Sequence, residues 1–188
     1  MYRGFKRLAD LTGAIALLVV LSPILVLTAF AIPLESPGSP IFTQQRMGRG
    51  GKPFTIYKFR SMRKDAGGPL QTQVGDARIT GLGHLIRRTS IDELPQLFNI
   101  LKGDMSFIGP RPEVPSIVES EWSQEDRDLV LSVRPGLSGW AQIHGRDDLD
   151  IPTKLRFDRD YAQRISLGLD LLILVRTPLV LLLGRGIK

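Results

Sequence analysis

The feature that most constrains this chain is a run of 24 uncharged residues, Leu11–Leu34, bounded by Asp10 and Glu35. As a straight helix it would extend ~36 Å and could cross a hydrocarbon core of ~30 Å, so membrane insertion is the default. The flanks conflict with a simple crossing. Arg3, Lys6 and Arg7 precede the run, and seven further basic residues from Arg46 to Lys64 follow it with no acid after Glu35. The positive-inside rule places such charge on one side only. Ser22-Pro23 stands at the middle of the run. There the proline removes an amide donor and clashes with the preceding turn, while a serine hydroxyl can satisfy the carbonyl so freed. The expectation is a re-entrant helix-break-helix. Its first arm, Leu11–Ser22, would reach ~18 Å, about one leaflet, before the chain turns back to leave both basic flanks on one face. A proline-kinked span and a signal peptide cleaved after Ala29-Phe30-Ala31 are the competing readings.

Charge is distributed unevenly along the 188 residues. Residues 1–64 carry 10 basic and 2 acidic side chains, and the remainder carries 15 and 17, so the net +6 belongs to the N-terminal third. Anionic lipid is the nearest partner for a basic stretch beside a membrane segment, and no aromatic stacking array accompanies it to suggest nucleic acid. Hydrophobic residues at 43% and charged residues at 23% exclude a disordered chain and permit a packed core. The absence of cysteine removes disulfides, thiolate zinc sites and cysteine nucleophiles, and fits a reducing compartment. Two histidines, His84 and His144, make a histidine-rich metal centre improbable.

Pro37-Gly38-Ser39-Pro40 marks a boundary between a membrane hairpin over 1–36 and one globular unit over 37–188. Ile41–Arg46 and Pro53–Met62, separated by Gly48-Arg49-Gly50-Gly51, predict a β-hairpin. Lys52 is followed by Pro53 where a nucleotide-binding P-loop needs serine or threonine, so these glycines belong to a turn. Leu94, Leu97, Phe98 and Leu101 predict a short amphipathic helix ended by Gly103. Further helices are expected near Val114–Trp122, Gln124–Ser132 and Pro152–Arg164. The last is laced with i, i+4 pairs, Lys154–Asp158, Arg156–Asp160 and Asp160–Arg164. Asp147, Asp148 and Asp150 lack calcium-loop spacing and read as loop and cap residues. The tract Leu167–Ile187, divided by Asp170, Arg176 and Arg185, is too interrupted to span; it reads as an interfacial helix over about 165–188 or as a core helix. The fold class is α+β.

Chemistry-bearing residues gather in loops. Ser90-x-x-Glu93 matches a capping box, in which Asp92 and Glu93 would simply favour a helix start. A carboxylate there stays ionised, and an incoming phosphate would meet oriented amides. In Gly109-Pro110-Arg111-Pro112, two prolines fix the backbone about one arginine, which suits bidentate recognition of phosphate; a structural turn with Arg111 paired to an acid is the alternative. Arg134-Pro135-Gly136 with Gly139, and Gly145-Arg146, add loop arginines beside glycines. Together these suggest an acidic nucleophile with several guanidiniums acting on a phosphate at a membrane surface.

The run Ser90-Ile91-Asp92-Glu93-Leu94-Pro95-Gln96-Leu97-Phe98-Asn99 and the run Leu101 through Pro112 resemble the signature of the bacterial sugar transferases, the monotopic polyprenyl-phosphate phosphoglycosyl transferases. The resemblance extends to Lys58-Phe59-Arg60-Ser61-Met62, Arg134-Pro135-Gly136, Gly145-Arg146 and the Ser22-Pro23 hairpin. It implies transfer of a sugar 1-phosphate from a UDP-sugar to undecaprenyl phosphate at the cytoplasmic face of the bacterial inner membrane, releasing UMP. It assigns Asp92 as the nucleophile that forms an aspartyl phosphosugar. It also implies Mg²⁺ held by Asp92 or Glu93, with Glu93 as metal ligand or base left open. Arg111, flanked by Pro110 and Pro112, would bind nucleotide or phosphate. Arg146, Arg88, Lys58 and Arg60 are further candidates, with Asp158 as a supporting acid and Lys6 and Arg7 beside phospholipid headgroups. A non-catalytic, basic, membrane-anchored protein and a membrane phosphatase are the alternatives. The sugar is not legible.

Overall fold

The computed structural model describes residues 2–63, 67 and 75–183, with the side chain of Asp147 excepted. Lys64, Arg185 and Ile187, invoked above, lie outside the described residues. Mixed helices and small sheets make the chain α+β, as expected.

Helices α1 (Tyr2–Val20) and α2 (Ser22–Glu35) meet at a 63° bend. The Ser22 hydroxyl donates to the Val19 carbonyl at 2.8 Å, and Pro23 lies within the first turn of α2, where its missing amide costs least. No single helix among the described residues is long and apolar enough to cross a membrane; the bent pair passes that test together. Side chains including Ile15, Val19, Val20, Leu27, Phe30 and Leu34 are exposed. A helix packed into a soluble core buries its apolar face, and these arms leave much of theirs uncovered.

The two arms nevertheless dock on the rest of the chain at their charged ends. Asp10 accepts from the Ser106 hydroxyl and the Phe107 amide, both at 3.1 Å. Arg7 donates to the carbonyls of Ile100 at 2.6 Å and Leu101 at 2.9 Å. At the other end, Glu35 accepts from the Leu82 amide at 3.1 Å. Arg60 donates to the carbonyls of Ser36 and of Pro37, the latter at 2.9 Å.

Strands β1 (Ile41–Met47) and β2 (Pro53–Phe59) form the expected antiparallel hairpin, with Ile41 opposite Phe59 and Met47 opposite Pro53. Gly50 and Gly51 in its turn have φ of 71° and 70°, which confirms them as turn glycines. Helix α3 (Gly81–Arg88), capped by Thr80, was not anticipated. A 3₁₀ turn (Ile91–Gln96) runs into α4 (Leu97–Lys102), and Gly103 ends it at φ 93°. The predicted stripe is thereby re-phased. A 3₁₀ turn advances at 3.0 rather than 3.6 residues per turn, so Leu97 and Ile100 are buried while Phe98 is exposed.

The chain continues through β3 (Ser106–Ile108), α5 (Pro115–Glu121), α6 (Gln124–Val130), β4 (Gly136–Ser138), α7 (Trp140–Ile143), α8 (Ile151–Arg164) and α9 (Leu167–Leu182). The helices expected near 114–122, 124–132 and 152–164 are α5, α6 and α8. Strands β3 and β4 pair in parallel. A true capping box opens α6, where Ser123 and Asp126 exchange side-chain and backbone bonds. Asp150 caps α8 as read from the sequence, accepting from the Thr153 amide at 2.9 Å.

Ala14 of α1 packs with Ile56, Leu97, Ile100 and Met105, and Ile32 of α2 packs with Phe59 and Ile86. A third cluster joins Ile108, Tyr161 and Ile173. Helix α9 therefore has two faces. Asp170 and Ile173 are buried, whereas Leu171, Leu174, Val175 and Leu179 are exposed. The core-helix reading of this tract holds for one stripe, and the other stripe is apolar and exposed.

Candidate functional site

The site forms where the 3₁₀ turn Ile91–Gln96 lies against β2. Asn99, fully buried, makes that juxtaposition. Its Nδ2 donates to the Thr55 carbonyl at 2.7 Å and its Oδ1 accepts from the Tyr57 amide at 3.1 Å, completing a strand edge with one side-chain amide. Lys58, next along β2, then reaches Glu93, Nζ to Oε1 at 2.9 Å.

The sequence suggested that Ser90 and Glu93 cap a helix. Instead Ser90 takes a left-handed backbone (φ 56°) with no side-chain cap bond, and Glu93 Oε1 also accepts from Arg111 Nη2 at 3.1 Å. A residue recruited by two cations is unavailable to cap.

The loop carrying Arg111 is fixed by close backbone approach. A Cβ on Gly136 would lie 2.1 Å from the Gly109 nitrogen, and one on Gly139 would lie 2.1 Å from the Gly109 oxygen. Only glycine permits this contact. The Gly136 amide donates to the Pro110 carbonyl at 2.8 Å, and Arg46 donates to the Pro112 carbonyl at 3.0 Å. Pro110 and Pro112 are buried. Asp158, buried on α8, accepts from the Arg111 backbone amide. Burial and then Glu113 push the Asp158 carboxyl well above the usual range, and its Oδ1 has no hydrogen-bond partner among the described residues. Of the three predicted pairs on α8, the ion pair present is Asp160–Arg164, at 2.9 Å.

Electrostatics separate the two consecutive acids. Burial, then the neighbouring Glu93, push Asp92 up to about 6, against the charges of Lys58, Arg87 and Arg111. Burial also opposes ionisation of Glu93, but Lys58 and Arg111 overcome it and hold that carboxyl well below its ordinary range. Arg146, at φ 51°, contributes to the same field and donates from Nη2 to the Ser90 hydroxyl at 3.4 Å. Its Nη1 is buried without a partner among the described residues. A buried guanidinium with a spare donor is suited to a phosphate oxygen.

The structure thus gathers Asp92, Glu93, Lys58, Arg111 and Arg146, with Asp158 behind the Arg111 loop. It places four other candidates elsewhere. Arg60 clamps the end of α2. Arg88 is exposed, and Arg87 is the residue whose charge reaches Asp92. With Gly83 and Ile86 buried on α3, position 88 is turned ~200° from 86 and points outward. Lys6 is spent on Asp170 and Arg7 on the end of α4, so both charges expected at headgroups are satisfied internally. Arg87 and Asn99 were missed; helical phase would have found the first.

Asp92 and Glu93 are adjacent hard-oxygen donors, a set that fits a Mg²⁺ shared between one or two carboxylates and substrate phosphates. Among the described residues, no group of three or more His, Asp or Glu is suited to hold a metal by itself.

The family model described as "Bacterial sugar transferase" matches residues 1–184. The chain is 44% identical to the UDP-N-acetylgalactosamine-undecaprenyl-phosphate N-acetylgalactosaminephosphotransferase of Aeromonas hydrophila, over 100% of this chain and 46% of that protein. It is 43% identical to the uncharacterized sugar transferase EpsL of Bacillus subtilis, covering 97% of this chain and 90% of the relative. Identity to the UDP-glucose:undecaprenyl-phosphate glucose-1-phosphate transferase of Escherichia coli is 40%, over 93% of this chain and 39% of that protein. The chain therefore spans less than half the length of the first and third relatives.

Proposed function

The chain belongs to the bacterial sugar transferase family, and from that premise we propose that it transfers a sugar 1-phosphate from a UDP-sugar to undecaprenyl phosphate and releases UMP. The observation that carries this reading is the unequal pair of carboxylates. Glu93 is held ionised by Lys58 and Arg111, while Asp92 keeps a basicity high for an aspartate and is still mostly ionised at neutral pH.

In the proposed mechanism an Asp92 oxygen attacks the sugar-linked phosphorus. An oxygen–phosphorus bond forms, the bond to the bridging diphosphate oxygen breaks, and UMP departs with that oxygen. A lipid phosphate oxygen then attacks the same phosphorus and releases Asp92, leaving polyprenyl-diphosphate-sugar. One displacement becomes two. The Arg111 and Arg146 guanidiniums would offset the charge that grows on the phosphoryl oxygens, and Asp158 supports the Arg111 loop. Asp92 and Glu93 would hold Mg²⁺, which when bound neutralises charge on the diphosphate and the leaving UMP. The relatives' names cite different sugars, so none is assigned to this chain.

The placement that fits best is re-entrant, at the cytoplasmic face of a bacterial membrane. Two facts support it. The arms of the α1–α2 wedge are apolar and exposed, and both its ends, Arg7–Asp10 and Glu35–Ser36, are gripped by the same globular unit. One folded unit lies on one side of a bilayer, so ends that it holds together lie there too. The apolar face of α9 would rest on the same surface.

Incubating the full chain with undecaprenyl phosphate and a panel of UDP-sugars tests the reading. Lipid-dependent UMP release with one or more sugars is expected. No release with any of the panel, or liberation of inorganic phosphate without lipid, would overturn it.

A further inference from the structure

Away from the dyad, a groove opens between the first turns of α1, the β1–β2 turn and the loop that enters β4. Its lining includes Arg3, Lys6, Asp10, Arg49, Ser106 and Arg134. None of these residues is among the groups that act on Asp92 or Glu93.

The charges of this groove are not balanced by its own carboxylate. Asp10 is buried and already accepts two hydrogen bonds from Ser106 and Phe107. Lys6 is neutralised by Asp170. Arg3 and Arg49 are exposed and have no ion pair among the described residues. Arg134 is half-buried and anchored through Nε to the Gly103 carbonyl at 3.0 Å, which fixes the guanidinium in the wall. Burial, with the like charges of Arg49 and Arg7, lowers its affinity for a proton. Three guanidiniums around one satisfied acid form an anion-binding concavity, and guanidinium geometry matches a phosphate.

Position selects the kind of phosphate. Arg3 precedes Leu11, the start of the uncharged run, by ~12 Å along the helix. The Lys6–Asp170 pair ties the groove's rim to the first turn of α9, whose exposed leucines face outward. On the membrane placement proposed above, the groove would lie at the level of headgroups. We propose that it is a second phosphate site, separate from the dyad, which takes the headgroup phosphate of an anionic phospholipid and fixes the depth of the wedge. This rests on the membrane placement proposed above, which flotation with phosphatidylcholine vesicles tests by itself.

The experiment titrates the full chain in detergent with dihexanoyl phosphatidylglycerol, dihexanoyl phosphatidylcholine and inorganic phosphate, each below micelle-forming concentration. The expected result is preferential binding of phosphatidylglycerol, weakened about tenfold or more in Arg3→Gln/Arg49→Gln, since two charge-assisted contacts are removed. Both substitutions are at exposed positions and spare the Arg134 anchor. The exposed double variant Arg156→Gln/Arg164→Gln, with the same loss of charge, should bind like the parent. Equal affinity for the two lipids, or equal weakening in both double variants, would overturn the site. Inorganic phosphate binding as tightly as the lipid would overturn the headgroup assignment.

Discussion

The Ser22 hydroxyl donates to the Val19 carbonyl, the one to which an amide at position 23 would donate in an unbroken helix. Proline at 23 removes the donor and serine at 22 replaces it. The two residues therefore act as a unit. Ser22→Ala alone should destabilise the protein by ~1 kcal/mol, because a carbonyl facing apolar surroundings loses its partner. In a Pro23→Ala background the same change should cost almost nothing, since the restored amide serves Val19. Unfolding of all four variants in detergent completes the cycle, and strictly additive costs would contradict the exchange. Cysteines at Tyr2 and Gly38 should label from the same side of the membrane.

The reaction should lose rate as pH falls through about 6. Asp92 attacks only as the carboxylate, and its carboxyl is pushed up to about 6, so kcat/KM should drop ~10-fold per unit below that pH. Lys58→Met removes a charge that lowers the Asp92 pKa, and its rising limb should move to higher pH. A pH profile of UMP release measures both. Asp92→Asn should abolish transfer and the trapped phosphosugar adduct while leaving the melting temperature nearly unchanged.

Asn99 joins α4 to β2, and no other residue type presents a donor and an acceptor in that pattern at that length. Asn99→Leu should cost ~2–4 kcal/mol, leaving the Thr55 carbonyl and the Tyr57 amide without this partner. Activity should fall further than stability alone accounts for, because Lys58 and Glu93 are brought together through this contact. Denaturant unfolding beside kcat at a temperature where the variant is folded separates the two effects.

Gly139→Ala should be among the most damaging small substitutions, at ~3 kcal/mol or more, because the added methyl meets backbone at 2.1 Å. Partial unfolding of the loop should also raise KM for the nucleotide sugar by releasing Arg111. Gly4→Ala, with open space around its Cβ, is the control expected to be silent.

Local signals explain what the sequence made legible. The Ser22-Pro23 break, the glycine turn before β2, the stop at Gly103 and the rigid Pro110–Pro112 loop each depend on a residue's own backbone restrictions. Pairings between distant segments were hidden. Strands β3 and β4 are three residues each, too short for alternation to register, and they lie together through Gly109 and Gly136 rather than through side-chain pattern. The Ser90 capping box failed because its glutamate had better partners in Lys58 and Arg111, both far away in sequence. Arg88 was chosen over Arg87 because adjacent identical residues differ only in helical phase, which Ile86 alone reveals.

The grip on the apolar wedge has a consequence for how the protein is made. Lys6 is held by Asp170, 164 residues downstream, and at ~5–20 residues per second that partner emerges roughly 8 to 30 s later. The hydrophobic arms thus leave the ribosome before the last of the contacts that tie them to the globular unit can form. In that interval lipid or a chaperone must shield them, and α1 gains its full attachment to the globular unit only when α9 arrives.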